Sequence, residues 1–287
     1  MEDCSLSGSN IIMTNVGFIG AGNMGFAIMK GIAESGLCKV EDMCVKSPDI
    51  QLFAFDNDLK KLKRLEEYGV LSCLSAEELS EKCKYIFLAV KPQQLDEVLE
   101  EIKDKITDDS VLVSICAGIS GEYIKSKTIP NAKVVLVMPN TPLLLGEGAS
   151  ALARVEPVSE EEFELVCGIF ASCGEIAVIN EDKMKEIIAI NGSSPAFIYL
   201  YAKAFVDYAK SAGIDEAVAK KLFSKTLIGS AKMISNSGNT IDELIEMVSS
   251  KGGTTLAGLE KLREGDLEGT VNKACEACTK RAYELSK

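Results

Sequence analysis

Gly20, Gly22 and Gly25 are the residues of this chain most suited to chemistry. They stand in the run Val16-Gly17-Phe18-Ile19-Gly20-Ala21-Gly22-Asn23-Met24-Gly25. An apolar β-type stretch over residues 16–19 enters this turn, and a helix-compatible stretch over 26–35 leaves it. That order suits a dinucleotide. Side chains at the first two glycines would block the tight turn and the approach of a pyrophosphate, while the third glycine lets helix and strand pack closely. Around Ala21, Asn23 and Met24 the helix start turns unpaired N–H groups toward the anion. An ordinary strand-to-helix turn is the alternative, and the flanking context favours the dinucleotide.

Four further segments carry residue types that fit a ligand. Ala89-Val90-Lys91-Pro92 closes an apolar run, where open α/β sheets bind ligands. Cys116-Ala117-Gly118 ends the next run, and its small residues let a flat ring approach the backbone. Met138-Pro139-Asn140-Thr141-Pro142 ends another; its two prolines stiffen the loop, and Asn140 offers a donor and an acceptor. Together these loops describe a nicotinamide crevice. The late segment Ser250-Lys251-Gly252-Gly253-Thr254-Thr255 joins two helical stretches and exposes several N–H groups, suited to a carboxylate at a helix start. A plain interhelical turn capped by Thr254 is its simpler reading. In Asn191-Gly192-Ser193-Ser194-Pro195-Ala196 the proline suits a first helical turn.

The elements that position these loops follow from hydropathy. Short β-type runs over 16–19, 70–72, 85–90, 111–115, 134–137, 149–153 and 175–179 alternate with helical stretches. Ser75 and Glu78 have the spacing of a capping box. The alternation predicts a Rossmann-like, doubly wound, mostly parallel sheet. Beyond residue 179 strand-like runs vanish, and amphipathic stretches over 195–212, 215–235, 240–248, 254–263 and 267–285 predict an all-α C-terminal domain. The fold class is therefore α/β: a flexible lead-in over 1–13, a dinucleotide-binding domain over 14–179, and a helical substrate and dimerisation domain over 180–287.

Composition narrows the function. The 287 residues, 47% hydrophobic and 26% charged, suit a globular protein with a full core. A net charge of −12 argues against nucleic-acid or anionic-membrane partners. Ten cysteines without a dense framework predict reduced thiols and a cytoplasmic location. Only Cys275 and Cys278 have CxxC spacing, and with 0 histidines in the chain no metal site is expected. The missing histidine also excludes histidine-based acid–base catalysis and serine–histidine triads.

The glycine phrase, AVKP over 89–92, CAG over 116–118, MPNTP over 138–142, GSSPA over 192–196 and SKGGTT over 250–255 occur in the order found in pyrroline-5-carboxylate reductases, and the chain resembles that family from about residue 16 to its C-terminus. The resemblance implies hydride transfer from NAD(P)H to C5 of the cyclic imine, giving L-proline. It implies carboxylate contacts from Ser250, Gly252, Gly253 and Thr254, a nitrogen partner and proton relay or orienter in Thr255, and a ligand-proximal position for Glu181. It also implies dimers formed through the helical domain and gathered into larger assemblies. Lys251 stands where the family usually has proline.

Coenzyme choice rests on the residue ending the second strand, about 20 residues after the glycines. Spacing offers residues 43–47, ending in Ser47 beside Lys46, which suits a 2′-phosphate and NADPH. The rival run over 51–55 ends in Asp56, which would favour NADH. Ser47 and NADPH are the expectation. Two other functions fit the sequence less well. A β-hydroxyacid dehydrogenase needs a lysine one helical turn after its glycine-rich helix start, whereas here the first lysine after GSSPA is Lys203. A non-catalytic NADP(H) sensor has no need of the SKGGTT turn.

Overall fold

The computed structural model describes residues 13–35 and 50–286. Apart from Met13, the expected lead-in lies outside the described residues, as does Ser47 with its candidate strand. Eight strands form the sheet: β1 (Thr14–Ile19), β2 (Ile50–Phe55), β3 (Leu71–Ser72), β4 (Tyr85–Leu88), β5 (Val111–Ser114), β6 (Lys133–Met138), β7 (Gly148–Val155) and β8 (Gly174–Val178). Between them run α1 (Asn23–Glu34), α2 (Leu59–Lys63), α3 (Ala76–Lys82), α4 (Leu95–Ile102), α5 (Gly121–Lys127) and α6 (Glu160–Ala171). Then follow α7 (Ser194–Ser211), α8 (Glu216–Asn236), α9 (Ile241–Met247), α10 (Thr254–Glu264) and α11 (Leu267–Leu285).

The strand order is β3-β2-β1-β4-β5-β6-β7-β8. Every pairing is parallel except that of β6 with β7. This is the expected doubly wound sheet, and β1 lies at the point where the strand order reverses. The strand beside β1 is Ile50–Phe55, with Ile19 opposite Phe55. That corrects the preference for the run ending in Ser47: the residue that follows the second strand is Asp56.

Side chains alternate between two cores, one on each face of the sheet. Val16, Phe18, Tyr85, Phe87, Val111 and Val113 enter one, and Ile19, Ile86, Leu88 and Leu112 the other. Phe18 and Phe87 stack with centroids 4.3 Å apart, and Phe170 of α6 reaches Phe87 at 6.1 Å. Each such fully buried ring contributes about 2–3 kcal/mol by area.

Two of the helix starts on the sheet show how side chains fix them. At α6, Ser159 and Glu162 form a complete capping box. At α3, Ser75 accepts from the Glu78 N–H, but Glu78 reaches the Leu74 N–H, so only half of the expected box is built. Glu162 also meets Lys133 at 2.8 Å and Lys84 at 3.1 Å, which ties α6 to the starts of β4 and β6.

The chain divides into two compact units, Met1–Gly192 with Thr279–Lys287, and Ser193–Cys278. Within the second, Phe205 of α7 and Phe223 of α8 stack at 4.3 Å, with Tyr201 edge-on to Phe205 at 5.0 Å. Around those rings many large apolar side chains stay exposed, among them Leu200, Tyr208, Leu222, Ile228 and Ile234.

Candidate active site

At the carboxyl end of β1 the chain turns sharply through Gly20, whose φ of +104° is reserved for glycine. A Cβ on Gly20 would lie 2.5 Å from the Ala89 carbonyl oxygen, and one on Gly25 would lie 2.3 Å from the Gly20 oxygen. The turn thus packs against Ala89 and against the helix it opens. Gly22 differs: a Cβ there would meet nothing within 4 Å. Its missing side chain leaves open space at the start of α1, where no side chain caps the helix. Uncapped N–H groups beside a vacant approach suit a pyrophosphate, so the residues present fit a dinucleotide.

Asp56 fixes the turn from the β2 side. Gly20 donates its N–H to the Phe55 carbonyl at 2.8 Å, and the Asp56 carboxylate accepts from the Ala21 N–H at 2.8 Å and the Asp58 N–H at 2.9 Å. Lys61 approaches both carboxylate oxygens at 3.1 Å. Burial pushes this carboxyl up, but the Asp58 and Ala21 amides with Lys61 outweigh it and hold Asp56 below its ordinary range. Gly20, Gly22, Asp56, Lys61, Val90 and Lys91 line a cleft of about 430 Å³. The sequence brings Gly20, Gly22, Ala89, Val90 and Lys91 to this one cleft, whereas no residue of 116–118 or 138–142 lines it. Lys91 stands just before a short 3-10 turn, Pro92–Gln94, that leads into α4.

Cys116 lies beyond β5 and donates to the Val90 carbonyl at 3.3 Å, which joins its loop to the Ala89–Pro92 loop. Burial pushes its thiol up to about 11 despite the opposing hydrogen bonds. It therefore stays protonated at neutral pH, a packing group rather than a nucleophile. Ala117 is exposed, while Gly118, at φ +79°, faces the Ala282 carbonyl.

Glu181 accepts from the Gly121 N–H at 2.9 Å, at the start of α5. With Cys116, Gly118, Met138 and Tyr283 it borders a second cavity of about 320 Å³, within the same compact unit. Sequence reasoning missed Tyr283, whose hydroxyl donates to Glu186 at 2.8 Å. Nothing in a late helical stretch marks a tyrosine as belonging beside a sheet.

Asn140 corrects an expectation. Its amide is buried, with 8% of the residue accessible. The oxygen accepts from the Ala149 N–H at 2.9 Å and the nitrogen donates to the Asn191 carbonyl at 3.2 Å. Asn191 in turn donates to the Met138 and Ala149 carbonyls. The Asn140 side chain thus braces the reversal from β6 into β7 instead of presenting its edge to a ligand.

In the helical unit, the Ser250–Thr255 segment forms a tight turn, closed by the Gly253 N–H on the Ser250 carbonyl at 2.9 Å. Gly253, not Thr254, occupies the cap position of α10. A Cβ on Gly253 would lie 2.6 Å from the Ser250 hydroxyl and 3.0 Å from its carbonyl oxygen, so this turn needs a bare backbone. Ser250, Lys251, Gly252, Thr254 and Thr255 are all exposed, and no side chain caps the helix start.

Among the described residues, no group of three or more histidine, cysteine, aspartate or glutamate side chains is placed to hold a metal ion. No helix among them is long and apolar enough to cross a membrane.

Comparison with known proteins adds the following. Residues 181–285 match the family model described as pyrroline-5-carboxylate reductase dimerisation. Residues 15–118 match one described as NADP oxidoreductase coenzyme F420-dependent. The chain is 32% identical over 271 residues to the pyrroline-5-carboxylate reductase of Arabidopsis thaliana, with 94% of this chain and 95% of that one covered. It is 33% identical over 272 residues to that of Escherichia coli, with 95% and 98% covered. The crystal structure of Plasmodium falciparum pyrroline carboxylate reductase with NADP bound gives a TM-score of 0.81 at 30% identity, covering 97% of this chain and 99% of that one.

Proposed function

The chain belongs to the pyrroline-5-carboxylate reductase family, and from that premise we propose how its residues share the reduction of the cyclic imine to L-proline. It is an NAD(P)H-dependent oxidoreductase acting on a C=N bond. The observation that carries this reading is the extent of the likeness: it covers 94% of the chain, and so includes both the glycine turn and the Ser250–Thr255 turn.

The coenzyme pyrophosphate lies over Gly20–Gly25, held by the N–H groups of Gly22, Asn23 and Met24, while the Ala21 N–H, expected to share in this, is taken by Asp56. The Ala89–Pro92 and Cys116–Gly118 loops bound the nicotinamide end. The reduced nicotinamide, when bound, supplies a hydride to C5 of the imine. A protonated imine is already electrophilic, so the chain mainly has to align it and exclude water. That suits a protein with 0 histidines.

The N–H groups of Gly252, Gly253 and Thr254, with the Ser250 hydroxyl, hold the substrate carboxylate. The bare backbone at Gly253, flanked by exposed residues, and the uncapped start of α10 support this assignment. The Thr255 hydroxyl orients the ring nitrogen and relays its proton. Glu181, which shares a cavity with Cys116 and Gly118, is the further substrate contact. Dimerisation runs through the helices of residues 181–285, where exposed apolar side chains abound, and dimers gather into larger assemblies. The free thiols of the described cysteines support a cytoplasmic location.

The test is coenzyme oxidation followed by absorbance. With pyrroline-5-carboxylate, NADH or NADPH is consumed and L-proline forms. A 3-hydroxy acid with the oxidised coenzyme gives no reaction. Turnover of the hydroxy acid and none of the imine would remove the proposal.

A further inference from the structure

The group that meets the adenosine ribose is fixed by the sheet rather than by a flexible loop. β2 runs parallel to β1 in a register that sets Phe55 against Ile19, and the Phe55 carbonyl accepts the Gly20 N–H. Asp56 therefore follows the second strand directly alongside the phosphate-binding turn. Its side chain is only 11% accessible and is held from three directions, by the Ala21 and Asp58 amides and by Lys61. An acidic residue at this position accepts from the ribose 2′-hydroxyl of NAD, whereas NADP sites offer an arginine to the 2′-phosphate. Each Asp56 oxygen already takes two donors, Ala21 and Lys61 on one and Asp58 and Lys61 on the other, so a ribose hydroxyl binds there by displacing one contact of the solvent-accessible Lys61 ammonium.

The surrounding charges point the same way. Asp56, Asp58, Glu97 and Glu101 line the cleft against only Lys61 and Lys91. Lys61 is itself committed to Asp56. No arginine is among the described residues lining the cleft. An added phosphate carries nearly two negative charges. Brought to this wall, it would meet a fixed carboxylate with no free fork of donors to offset the repulsion.

We infer that Asp56 is the specificity-determining residue of the coenzyme site and selects NADH over NADPH. The inference rests on the glycine turn being the coenzyme site. It assigns Lys61 a positioning role, holding the carboxylate in place without neutralising the cleft. The Plasmodium falciparum relative was crystallised with NADP, whereas on this reading the present chain prefers the coenzyme without the 2′-phosphate.

The experiment needs no imine substrate, so it separates this inference from the assignment of the reaction. NADH and NADPH are titrated separately into the purified full chain at fixed ionic strength, with binding read from the nicotinamide fluorescence. The wild-type chain should bind NADH at least tenfold more tightly. Asp56→Ser should shrink the NADH-to-NADPH affinity ratio by at least tenfold, through both weaker NADH and tighter NADPH binding. Asp56→Asn, which keeps the size of the side chain and removes the charge, should move the ratio in the same direction if the serine variant does not fold. Equal affinities in the wild type, or a preference for NADPH, would overturn the inference while leaving the glycine turn as the coenzyme site. A ratio unchanged in folded Asp56 variants would do the same. Binding of neither coenzyme would overturn both.

Discussion

Gly22 and Gly25 stand three residues apart and fail in different ways when given a side chain. At Gly25 a Cβ would collide with the Gly20 carbonyl, whereas at Gly22 it would project into open space. Gly25→Val should therefore destabilise the fold by about 1–3 kcal/mol, seen as a lowered thermal midpoint. Gly22→Leu should leave that midpoint within about 2 °C and cost at least tenfold in coenzyme affinity by titration. Equal loss of stability in both would show that Gly22 is packed, not vacant. Thr255 makes a separate prediction. Its proposed partner is the substrate, so Thr255→Ala should lower kcat with little change in coenzyme affinity. Unchanged kinetics would remove Thr255 from the proton path. At this scale the glycines were legible because the turn itself demands a missing side chain at Gly20 and Gly25, and the approach of an anion demands one at Gly22. Asn140 was not, since an asparagine in a proline-rich loop advertises a ligand contact. Its actual partners are the Ala149 N–H and the carbonyl of Asn191, 51 residues later.

Glu162 shows how one side chain secures an element. It completes the α6 capping box and meets Lys84 and Lys133, which tie the helix to the starts of two strands. Burial pushes its carboxyl up, but Lys133, the Ser159 amide and Lys84 outweigh it and bring the value from the ordinary 4.5 down to about 2. A depressed carboxylate contributes stability in full above its unfolded value, and that contribution is lost as pH falls from about 4.5 toward about 2. Glu162→Gln should cost about 2 kcal/mol at neutral pH, and denaturant unfolding of the variant should lose part of its acid sensitivity over that window. Equal stability of the two proteins at both ends of the window would refute the link. Most elements were readable from hydrophobic period alone, strands by alternating or continuous apolar runs and helices by their caps. The second strand was not. Two apolar runs competed for its place, over 43–47 and 51–55, and only pairing with β1, a long-range fact, separates them.

The described chain combines a sheet whose central strands are buried on both faces with helices that leave large apolar side chains in solvent. Leu222 of α8, 64% accessible, is one of many. Patches of this kind mark protein contact, which agrees with the dimerisation model matching residues 181–285. Sedimentation equilibrium should give at least twice the mass of one chain, and Leu222→Asp should shift the distribution toward the monomer. A wild-type protein that sediments as a single chain would refute the proposed dimer. The order of motifs along the sequence was enough to place the chain in its family, because MPNTP and SKGGTT accompany the glycine turn. It was not enough to choose the coenzyme, which depends on which strand lies beside β1. The most direct test of the central claim is isotopic. The protein is given pyrroline-5-carboxylate and reduced coenzyme deuterated at the transferable nicotinamide position, in ordinary water, and the product is examined by mass spectrometry and NMR. The account predicts L-proline carrying one deuterium at C5; proline without deuterium, or no proline under either coenzyme, would contradict it.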